Sequence, residues 1–516
     1  MHKSIRQSMA WLHSWVGLLL GWLLFSIFLF GTLSYYKNQI THWMQPQWQN
    51  SEISQQKAVV SAWDYLQKNA SDAQNWYIYP ARPEQPFNQI YWQKADNSYE
   101  SKSLDYKTGL EVKNTTEGGN FFYNFHFQLY AIPIVLGRII TSIAAFLMLI
   151  ALISGIITHK KIFTDFFTLR TFKSQRSWLD FHNVVSVIAL PFFLTITFTG
   201  LAIFFYIYLP YGIQKNYPDN SRQFFQEIAE KPIKTTQPPL AAAPMLSLAQ
   251  VQHIVQQQWS ENPEIESIRI KKPNTTQAEI TIKQTKDESI TINSPQLSLM
   301  GSNGQLLENT RRETPISTLY AGVYGLHMAL FAQPLLRFAL FFSGLLGCFM
   351  IASGMLLWSL KRQLQNKQSK FHFGHYLVDR LNVSTCVGMP IATLVYFYAN
   401  RLWTISQPTN YEVASFFTAW LISILLALLT PKEKLWRSQL IIFIVLASCL
   451  PFLNMFILFK HGWVQSVQDY LHYLYFDAFL WAFSALAIFI YLKIKPIQQQ
   501  ARQKIMQKIQ QKQRQT

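Results

Sequence analysis

The 516-residue chain is poor in cysteine, and the few cysteines present are not spaced for chemistry. Cys348, Cys386 and Cys449 all lie in apolar runs, and the chain contains no CxxC motif. Thiol redox chemistry, iron–sulfur ligation and zinc knuckles depend on closely and regularly spaced cysteines. None of these functions is supported.

Charged residues are also scarce, at 14% of the chain, whereas ordinary soluble domains have about 25%. Half of the residues are hydrophobic and 15% are aromatic, although the formal net charge is +18. Disordered chains and basic nucleic-acid-binding proteins are rich in charge and poor in aromatics, so we expect neither class and no nucleic-acid partner. The mean hydropathy of +0.07 is too low for a chain that lies wholly in a bilayer. Polar segments must therefore alternate with membrane spans.

Long apolar runs predict about eight transmembrane helices, because a helix needs roughly 20 apolar residues to cross the hydrocarbon core. The first run follows a basic N-terminus but has no small-residue cleavage site after it, which favours an uncleaved anchor over a signal peptide. About 100 polar residues separate the first two runs and about 120 separate the third and fourth. The predicted spans are 14–35, 133–157, 184–209, 335–358, 383–400, 414–430, 439–459 and 471–492.

Lysine and arginine are concentrated on one side of these spans. With the N-terminus inside, the inside segments hold 22 basic and four acidic residues, which accounts for the entire excess of positive charge. Short basic loops remain cytoplasmic, so we expect both termini in the cytoplasm. Both long polar segments then face the periplasm of a bacterial inner membrane. The inside segments are 1–14, 158–182, 359–382, 431–438 and 493–516.

The first four spans form an internal repeat. His13 precedes Gly31 by 18 residues, and His182 precedes Gly200 by the same number. Each long polar segment contains a helix-periodic stretch and then three strand-like runs. These are 54–70 with 75–80, 88–94 and 99–105, and 247–259 with 265–271, 277–283 and 288–299. Both copies contain an even number of spans, so they enter the membrane in the same direction and are related by an axis along the membrane normal.

The repeat pairs four histidines at membrane depth. His13 matches His182 at the cytoplasmic ends, and His126 matches His327 at the outer ends. Ionisable residues at this depth are costly and mark functional sites. Two imidazoles that face each other across an axis provide the two axial ligands of a haem iron. The sequence therefore predicts one haem near each face, two in all, with these histidines as iron ligands.

Glycines and arginines at repeat-related positions fit the same interpretation. Gly17 and Ser186 lie one turn after His13 and His182, on the face where a bulky side chain would meet a porphyrin. Gly31 and Gly200 lie about 27 Å further along a straight helix at 1.5 Å per residue, close to the outer haem. Arg138 and Arg337 are placed to pair with haem propionates, or else are interfacial anchors.

The remaining histidines are less clearly assigned. His159 follows the second span, but its repeat equivalent is Trp358, so it is either an alternative inner ligand or a contact for an electron donor. His372 and His375 lie in a cytoplasmic loop, and His461 and His472 lie near the outer ends of the last spans. His2, His42 and His253 are interpreted as surface residues.

The motifs LHSWVGLLLG, FHNVVSVIALPFFLTITFTG, HKKIFTDFFTLR and YGLHMALF resemble the PepSY-associated transmembrane family of iron-regulated inner-membrane proteins. The resemblance covers about 1–362, and HKKIFTDFF resembles the ferrisiderophore-reductase-like branch. Ser186 departs from the glycine that many members carry, and HMALFAQPLLR lacks the glycine-rich continuation often found there.

This resemblance implies haem b bound through His13 and His182 on the inner side and through His126 and His327 on the outer side. It also implies that the periplasmic segments are PepSY-like α+β modules. The expected fold is therefore a mainly α membrane protein with about eight transmembrane helices, two such modules and an internal parallel repeat. The expected parts are 1–160 with a module at about 36–131, 175–362 with a module at about 210–330, four further helices over 370–492, and a basic tail at 493–516.

The function that follows is transmembrane electron transfer to ferric iron in a periplasmic siderophore complex. No GxGxxG follows a strand and the cytoplasmic segments are short, so no nucleotide domain is expected. The donor must be quinol or a separate cytoplasmic reductase. The basic tail is expected to lie on anionic membrane lipid.

Two other functions remain open. The protein could be a membrane-anchored regulator whose external modules restrain a protease. It could also be a permease for iron chelates or ions, with a polar path through the last four spans near Asp469, His472 and Asp477. The alternative for those three residues is a solvated helix end.

Overall fold

The structure is a computed structural model. It describes residues 4–48, 53–83, 85–112, 116–159, 175–218, 223–224, 238–259, 263–285, 289–308, 315–365, 371–403 and 410–513. The chain forms two compact units. The helical unit comprises 1–46, 115–201 and 335–516, and the sheet unit comprises 47–114 and 202–334. Most of the HKKIFTDFF motif lies outside the described residues.

The described residues of the first half of the chain form ten helices, several of them from the apolar runs. They are α1 (Ile5–Leu19), α2 (Gly21–Ser34), α3 (Lys37–Met44), α4 (Gln55–Asn69), α5 (Asn120–Gln128), α6 (Ile134–Thr158), α7 (Gln175–Ile188), α8 (Leu190–Ile203), α9 (Phe205–Tyr208) and α10 (Tyr211–Asn216). The second half of the described chain adds eight. They are α11 (Leu248–Gln258), α12 (Pro315–Met328), α13 (Pro334–Gln365), α14 (Phe373–Cys386), α15 (Gly388–Leu402), α16 (Asn410–Leu429), α17 (Leu435–Lys460) and α18 (Val467–Gln513).

Six helical segments of the described chain are long and apolar enough to cross a membrane, and two bent helix pairs raise the number to eight. The multi-pass prediction is therefore confirmed. Each of the eight predicted runs overlaps one of these segments or pairs. The fifth run is longer than expected, because α14 and α15 together cover Phe373–Leu402 with a break at Val387.

The first and third spans are bent rather than straight. The α1–α2 pair bends by 66° and the α7–α8 pair by 65°. The breaks fall at Leu20 and Ala189, each seven residues after the histidine predicted to bind haem. Pro191 explains the second bend, since it has no N–H and its ring crowds the carbonyl four residues earlier. The straight-helix spacing of about 27 Å therefore overestimates the separation of His13 from Gly31.

A seven-stranded antiparallel sheet forms the centre of the sheet unit. Its order is β3-β2-β1-β4-β5-β6-β7. The strands are β1 (Asn75–Tyr79), β2 (Phe87–Gln93), β3 (Tyr99–Asp105), β4 (Ile265–Lys271), β5 (Glu279–Gln284), β6 (Gln296–Met300) and β7 (Leu306–Glu308). The strands from the two polar segments join edge to edge, because β1 pairs with β4 from Asn75↔Lys271 to Ile78↔Ile268.

Most elements predicted for the two polar segments are confirmed. The helices over 54–70 and 247–259 are α4 and α11, and five of the six strand-like runs are β1 to β5. The prediction of a strand over 288–299 is wrong in its first half. Ile292 N donates to Ala321 O of α12, and Pro295 has no N–H for a strand ladder, so β6 begins only at Gln296.

The two amphipathic helices and the sheet share one hydrophobic core. Val59 and Leu66 of α4 and Val251 of α11 are buried with Trp76 of β1 and Ile268 of β4. An amide fixes α4 to the second set of strands, because Gln55 Nε2 donates to Ile265 O at 2.9 Å and Gln55 Oε1 accepts from Ile265 N at 2.9 Å. The two polar segments therefore form one folded body.

Asn88 is the main buried polar anchor of this body. Its Oδ1 accepts from Ala81 N at 2.9 Å, and its Nδ2 donates to Ala58 O at 2.8 Å and to Ser61 Oγ at 2.9 Å. The side chain is fully buried.

We expect Asn88→Ala to destabilise the sheet unit by at least about 1–3 kcal/mol, because it leaves buried groups without hydrogen bonds. Hydrogen exchange of the β2 amides, measured by mass spectrometry on the full chain in detergent, should accelerate accordingly. Ser101→Ala, on an exposed position of β3, is the control and should change stability by less than about 0.5 kcal/mol. Equal protection in both variants would contradict the assignment.

Candidate functional site

His13 of α1 and His182 of α7 lie side by side in the helical unit. Their ring centroids are 6.2 Å apart and the ring planes are inclined by 71°. Both side chains are half-buried. The structure therefore brings together the two histidines that the repeat pairs at the predicted cytoplasmic ends.

Each ring is oriented by a main-chain carbonyl on a different span. His13 Nδ1 donates to Ala151 O of α6 at 2.8 Å, and His182 Nδ1 donates to Met350 O of α13 at 3.0 Å. A carbonyl can only accept, so Nδ1 carries the proton in both rings and Nε2 keeps its lone pair. Both imidazoles therefore present Nε2 as a metal-ligating atom.

A glycine lies directly against each of these imidazole rings. A Cβ atom on Gly155 would lie 3.2 Å from Cε1 of His13, and one on Gly354 would lie 3.3 Å from Cε1 of His182. Each glycine follows the accepting residue by four positions on the same helix. A larger side chain at either position would press on the ring.

Two serines complete this arrangement, and sequence reasoning missed them. Ser154 Oγ donates to Ala151 O at 3.0 Å, and Ser353 Oγ donates to Met350 O at 2.9 Å. Ser353 Oγ also lies 3.0 Å from His182 Nδ1. The signal that could have revealed them is a Ser-Gly dipeptide at matching positions of two otherwise apolar spans.

His126 is held in the same way by a third helix. Its Nδ1 donates to Ile27 O of α2 at 2.8 Å, and a Cβ on Gly31 would lie 2.7 Å from two atoms of the ring. Gly31 again follows the accepting residue by four positions. Gly31 therefore lies beside the His126 imidazole, and its place close to an outer haem stays a prediction.

The chain reverses sharply after His126. Leu129 and Ala131 adopt positive φ angles of 59° and 60°, which cost non-glycine residues of order 1–3 kcal/mol. A Cβ on Gly137 would lie 1.8 Å from Gln128 O, so only glycine permits this approach of α6 to the end of α5. Two of the six non-glycine residues with positive φ in the described chain thus lie in the loop that follows a predicted ligand.

His327 lies on α12 in the sheet unit, one residue before the helix ends, and is half-buried. It belongs to a different unit from His126, so their pairing stays a prediction. Arg138 NH2 donates to Gln128 Oε1 at 3.4 Å, and its guanidinium lies 5.4 Å from the Phe127 ring. Burial raises the pKa of Tyr36, and the positive charge of Arg337 partly opposes this increase.

His159 caps the C-terminus of α6 and lies beside the inner pair. Its Nε2 accepts from Asn183 Nδ2 at 2.7 Å, next to His182 in the chain. This hydrogen bond occupies one of the two ring nitrogens that can bind a metal. The assignment of His159 as an alternative inner ligand or a contact for an electron donor stays a prediction.

Aromatic residues extend from this region towards the predicted cytoplasmic loop. Trp358 packs edge-on against Trp15 at 5.9 Å between ring centroids and against His375 at 5.9 Å. The Arg362 guanidinium lies 5.3 Å from the Trp358 ring centroid and 5.7 Å from that of Trp15. From the sequence, Trp358 is identified only as the residue that replaces His159 in the second copy of the repeat.

Other predicted site residues have different roles. A Cβ on Gly17 would meet nothing within 4 Å, and Ser186 Oγ donates to His182 O at 2.6 Å. Asp469 accepts from the main-chain N–H of Gln465 and Ser466, and His472 is exposed. The solvated-end interpretation is wrong for Asp477, whose side chain is fully buried.

The chain was compared with known proteins. A model of the family described as "PepSY-associated TM region" matches residues 10–361. No curated protein matches the sequence significantly. The family match covers the four spans that carry the histidines and the two polar segments.

We expect Gly31→Ala to lower thermal stability, because the new methyl group collides with the His126 ring. In the double variant Gly31→Ala/His126→Ala the collision is removed, so the two changes should be non-additive. Thermal unfolding of the purified full chain provides the measurement. Gly17→Ala is the matched control and should be neutral or slightly stabilising, since alanine favours a helix by about 1 kcal/mol over glycine. Additive effects of the two changes would contradict the contact.

Proposed function

Because the chain belongs to the PepSY-associated TM region family, we propose that it is a di-haem reductase that carries electrons across the bacterial inner membrane. The acceptor is ferric iron, held in a periplasmic siderophore complex. Both termini are cytoplasmic in this proposal, and the two polar segments are periplasmic.

The observation that carries this proposal is the geometry of His13 and His182. Two imidazoles that bind one metal from opposite sides place their centroids roughly 6 Å apart, since metal–nitrogen bonds are about 2.0–2.1 Å and the centroid lies about 1 Å behind the nitrogen. The observed separation is 6.2 Å. Metal-ligating histidines usually donate their other ring N–H to a carbonyl or carboxylate, as both of these do. The residues therefore fit a bis-histidine haem.

Matching features of the two chain halves support the internal repeat behind this proposal. Both long bends fall seven residues after a histidine, and both imidazoles donate to a carbonyl four residues before a glycine. In the sheet, β1 and β4 meet, with β2 and β3 outside β1 and with β5, β6 and β7 outside β4. Each set has its own amphipathic helix, α4 or α11, which is the α+β arrangement proposed for the PepSY-like modules.

The second haem is proposed at His126 and His327, the other repeat-related pair. His126 already has the orienting hydrogen bond and the glycine beneath its ring. Arg138 and Arg337 remain the candidates for pairing with propionates, because a guanidinium binds a carboxylate through two parallel hydrogen bonds.

The protein's own part in the reaction is to hold, orient and insulate. The histidine Nδ1 hydrogen bonds fix the tautomer in which Nε2 is unprotonated and able to bind iron. The apolar helices keep water away from the path. Haem, when bound, supplies the one-electron redox chemistry that the side chains lack. Each ferric ion takes one electron, and quinol or a separate cytoplasmic reductase provides it.

The protease-regulator hypothesis remains the main alternative of the binding class. It assigns no role to the membrane histidines, whereas three of them are oriented by matched hydrogen bonds. The permease hypothesis would require an aqueous path, whereas Asp477 is fully buried and its Oδ2 accepts hydrogen bonds from Asn454 Nδ2 and Tyr470 OH.

We expect the protein purified from haem-replete cells to show a Soret band equivalent to two haems per chain. His13→Ala and His126→Ala should each reduce this to one, because each removes a histidine proposed to bind haem iron. Pyridine haemochromogen absorbance measures the stoichiometry. His253→Ala is the control, since this residue lies on α11 and its ring interacts with Gln257; it should retain both haems. A colourless protein would refute the proposal.

Reductase and permease activities can be separated in sealed vesicles. Ferrous iron should form outside right-side-out vesicles only when a reductant is supplied on the inside, and His13→Ala should abolish it. Uptake of the intact chelate without any reductant would instead identify a permease.

A further inference from the structure

The helix that carries His126 packs against two of the last four spans, α15 and α16. Phe121 of α5 stacks on Tyr396 of α15, with 5.1 Å between centroids and planes inclined by 20°. Phe121 also packs edge-on against Phe416 of α16, again with 5.1 Å between ring centroids. Phe125, one turn further along the same face of α5, packs against Phe30 of α2 with 4.6 Å between ring centroids. The α5 helix therefore contacts both the first span and the appended spans through one aromatic cluster.

Two directional hydrogen bonds fix the turn that leads into α5. Tyr396 OH donates to Gly118 O at 2.9 Å, and Thr116 Oγ1 donates to Glu412 Oε2 at 2.6 Å. Thr116 Oγ1 also accepts from Gly118 N at 2.9 Å. Thr116 and Glu412 are buried, at 2% and 5% exposure. These bonds define where the turn sits on the appended helices, which aromatic packing alone would leave free to slide.

A buried charge network holds Glu412 in turn. Asn400 Nδ2 donates to Glu412 Oε1 at 2.7 Å, and Arg401 NH1 donates to Asn400 Oδ1 at 2.6 Å. Arg401 Nε donates to Asn454 Oδ1 at 2.7 Å, and Asn454 Nδ2 donates to Asp477 Oδ2 at 2.9 Å. Two asparagines thus link one guanidinium to two carboxylates across α15, α16, α17 and α18.

The same guanidinium reaches the first repeat. Arg401 NH2 donates to Trp43 O of α3, and the guanidinium lies 3.8 Å from the centre of the Trp43 ring. The network therefore holds two segments near His126 by hydrogen bonds. Arg401 binds α3, and Glu412 binds the turn before α5. A buried network of this kind favours one arrangement, because breaking a link leaves an uncompensated polar or charged group.

We propose that the last four spans act as a positioning frame for the His126 haem ligand, with Tyr396 and Glu412 as the positioning residues. This rests on the function proposed above. Tyr396 and Glu412 act through the turn at 116–119 and α5, and neither is assigned a contact with haem.

Single-haem backgrounds make the test selective. In a His13→Ala chain only the haem proposed at His126 remains, and in a His126→Ala chain only the one at His13 and His182 remains. Tyr396→Phe should weaken haem retention about tenfold in the first background, as expected for losing a buried hydrogen bond. It should also shift the low-spin electron paramagnetic resonance signal there. The second background should be unaffected.

Tyr398→Phe is the matched control. Tyr398 lies on the same helix, and its hydroxyl donates to Leu446 O at 2.9 Å, within the appended spans. Tyr398→Phe should leave both haem retention and the electron paramagnetic resonance signal unchanged in either background. Glu412→Gln should act like Tyr396→Phe, and the haem retained in the His126→Ala background reports whether either variant still folds.

Any one of the following results would overturn the inference. The Tyr396 and Tyr398 variants could behave alike, or the Tyr396 variant could affect both backgrounds equally, which indicates general loss of fold. A wild-type chain without haem would refute the proposed function first, and the inference with it. Two haems in the wild type without a selective effect of Tyr396→Phe would refute the inference alone.

Discussion

A hydrogen bond from imidazole Nδ1 to a helix carbonyl, made beside a glycine, organises the candidate site. In an α-helix each carbonyl already accepts from the N–H four residues later, so an imidazole must reach its second lone pair. The side chain at that later position ordinarily covers the carbonyl. Glycine uncovers it, which explains the pairing of Ala151 with Gly155 and of Ile27 with Gly31. The spacing of four residues is therefore a physical requirement of the contact.

The amino-acid sequence is sufficient to predict elements whose signal is local. Apolar length reveals every span, and two-residue and helical periodicities locate α4, α11 and five strands. The repeat alone pairs His13 with His182, because equivalent residues face each other across an axis. The bends are not predicted in this way. Pro191 is a visible signal, but Leu20 carries no comparable one, and its helix breaks where Gly21 lies against Met355.

Prediction from sequence fails where the partner lies far along the chain. Asp477, ten residues into α18, resembles a solvated helix end because no lysine or arginine lies within two turns of it along the helix. Its partner Asn454 is on the preceding helix, and the Arg401 that completes the network lies 76 residues earlier. The serines beside Gly155 and Gly354 are missed for a related reason. A serine in an apolar span is often bonded to its own helix, and only the facing histidine distinguishes these two.

The junction between β1 and β4 also has a consequence in time. The two strands begin 190 residues apart, at Asn75 and Ile265, which corresponds to about 10–40 s of synthesis at 5–20 residues per second. During this interval the first three strands can pair, but the free edge of β1 stays open, and open edges recruit other strands. The second half of the chain thus acts as an internal cap for the first. The delay before that cap arrives, rather than the stability of the finished sheet, sets the period in which a newly made chain is most vulnerable to misassembly.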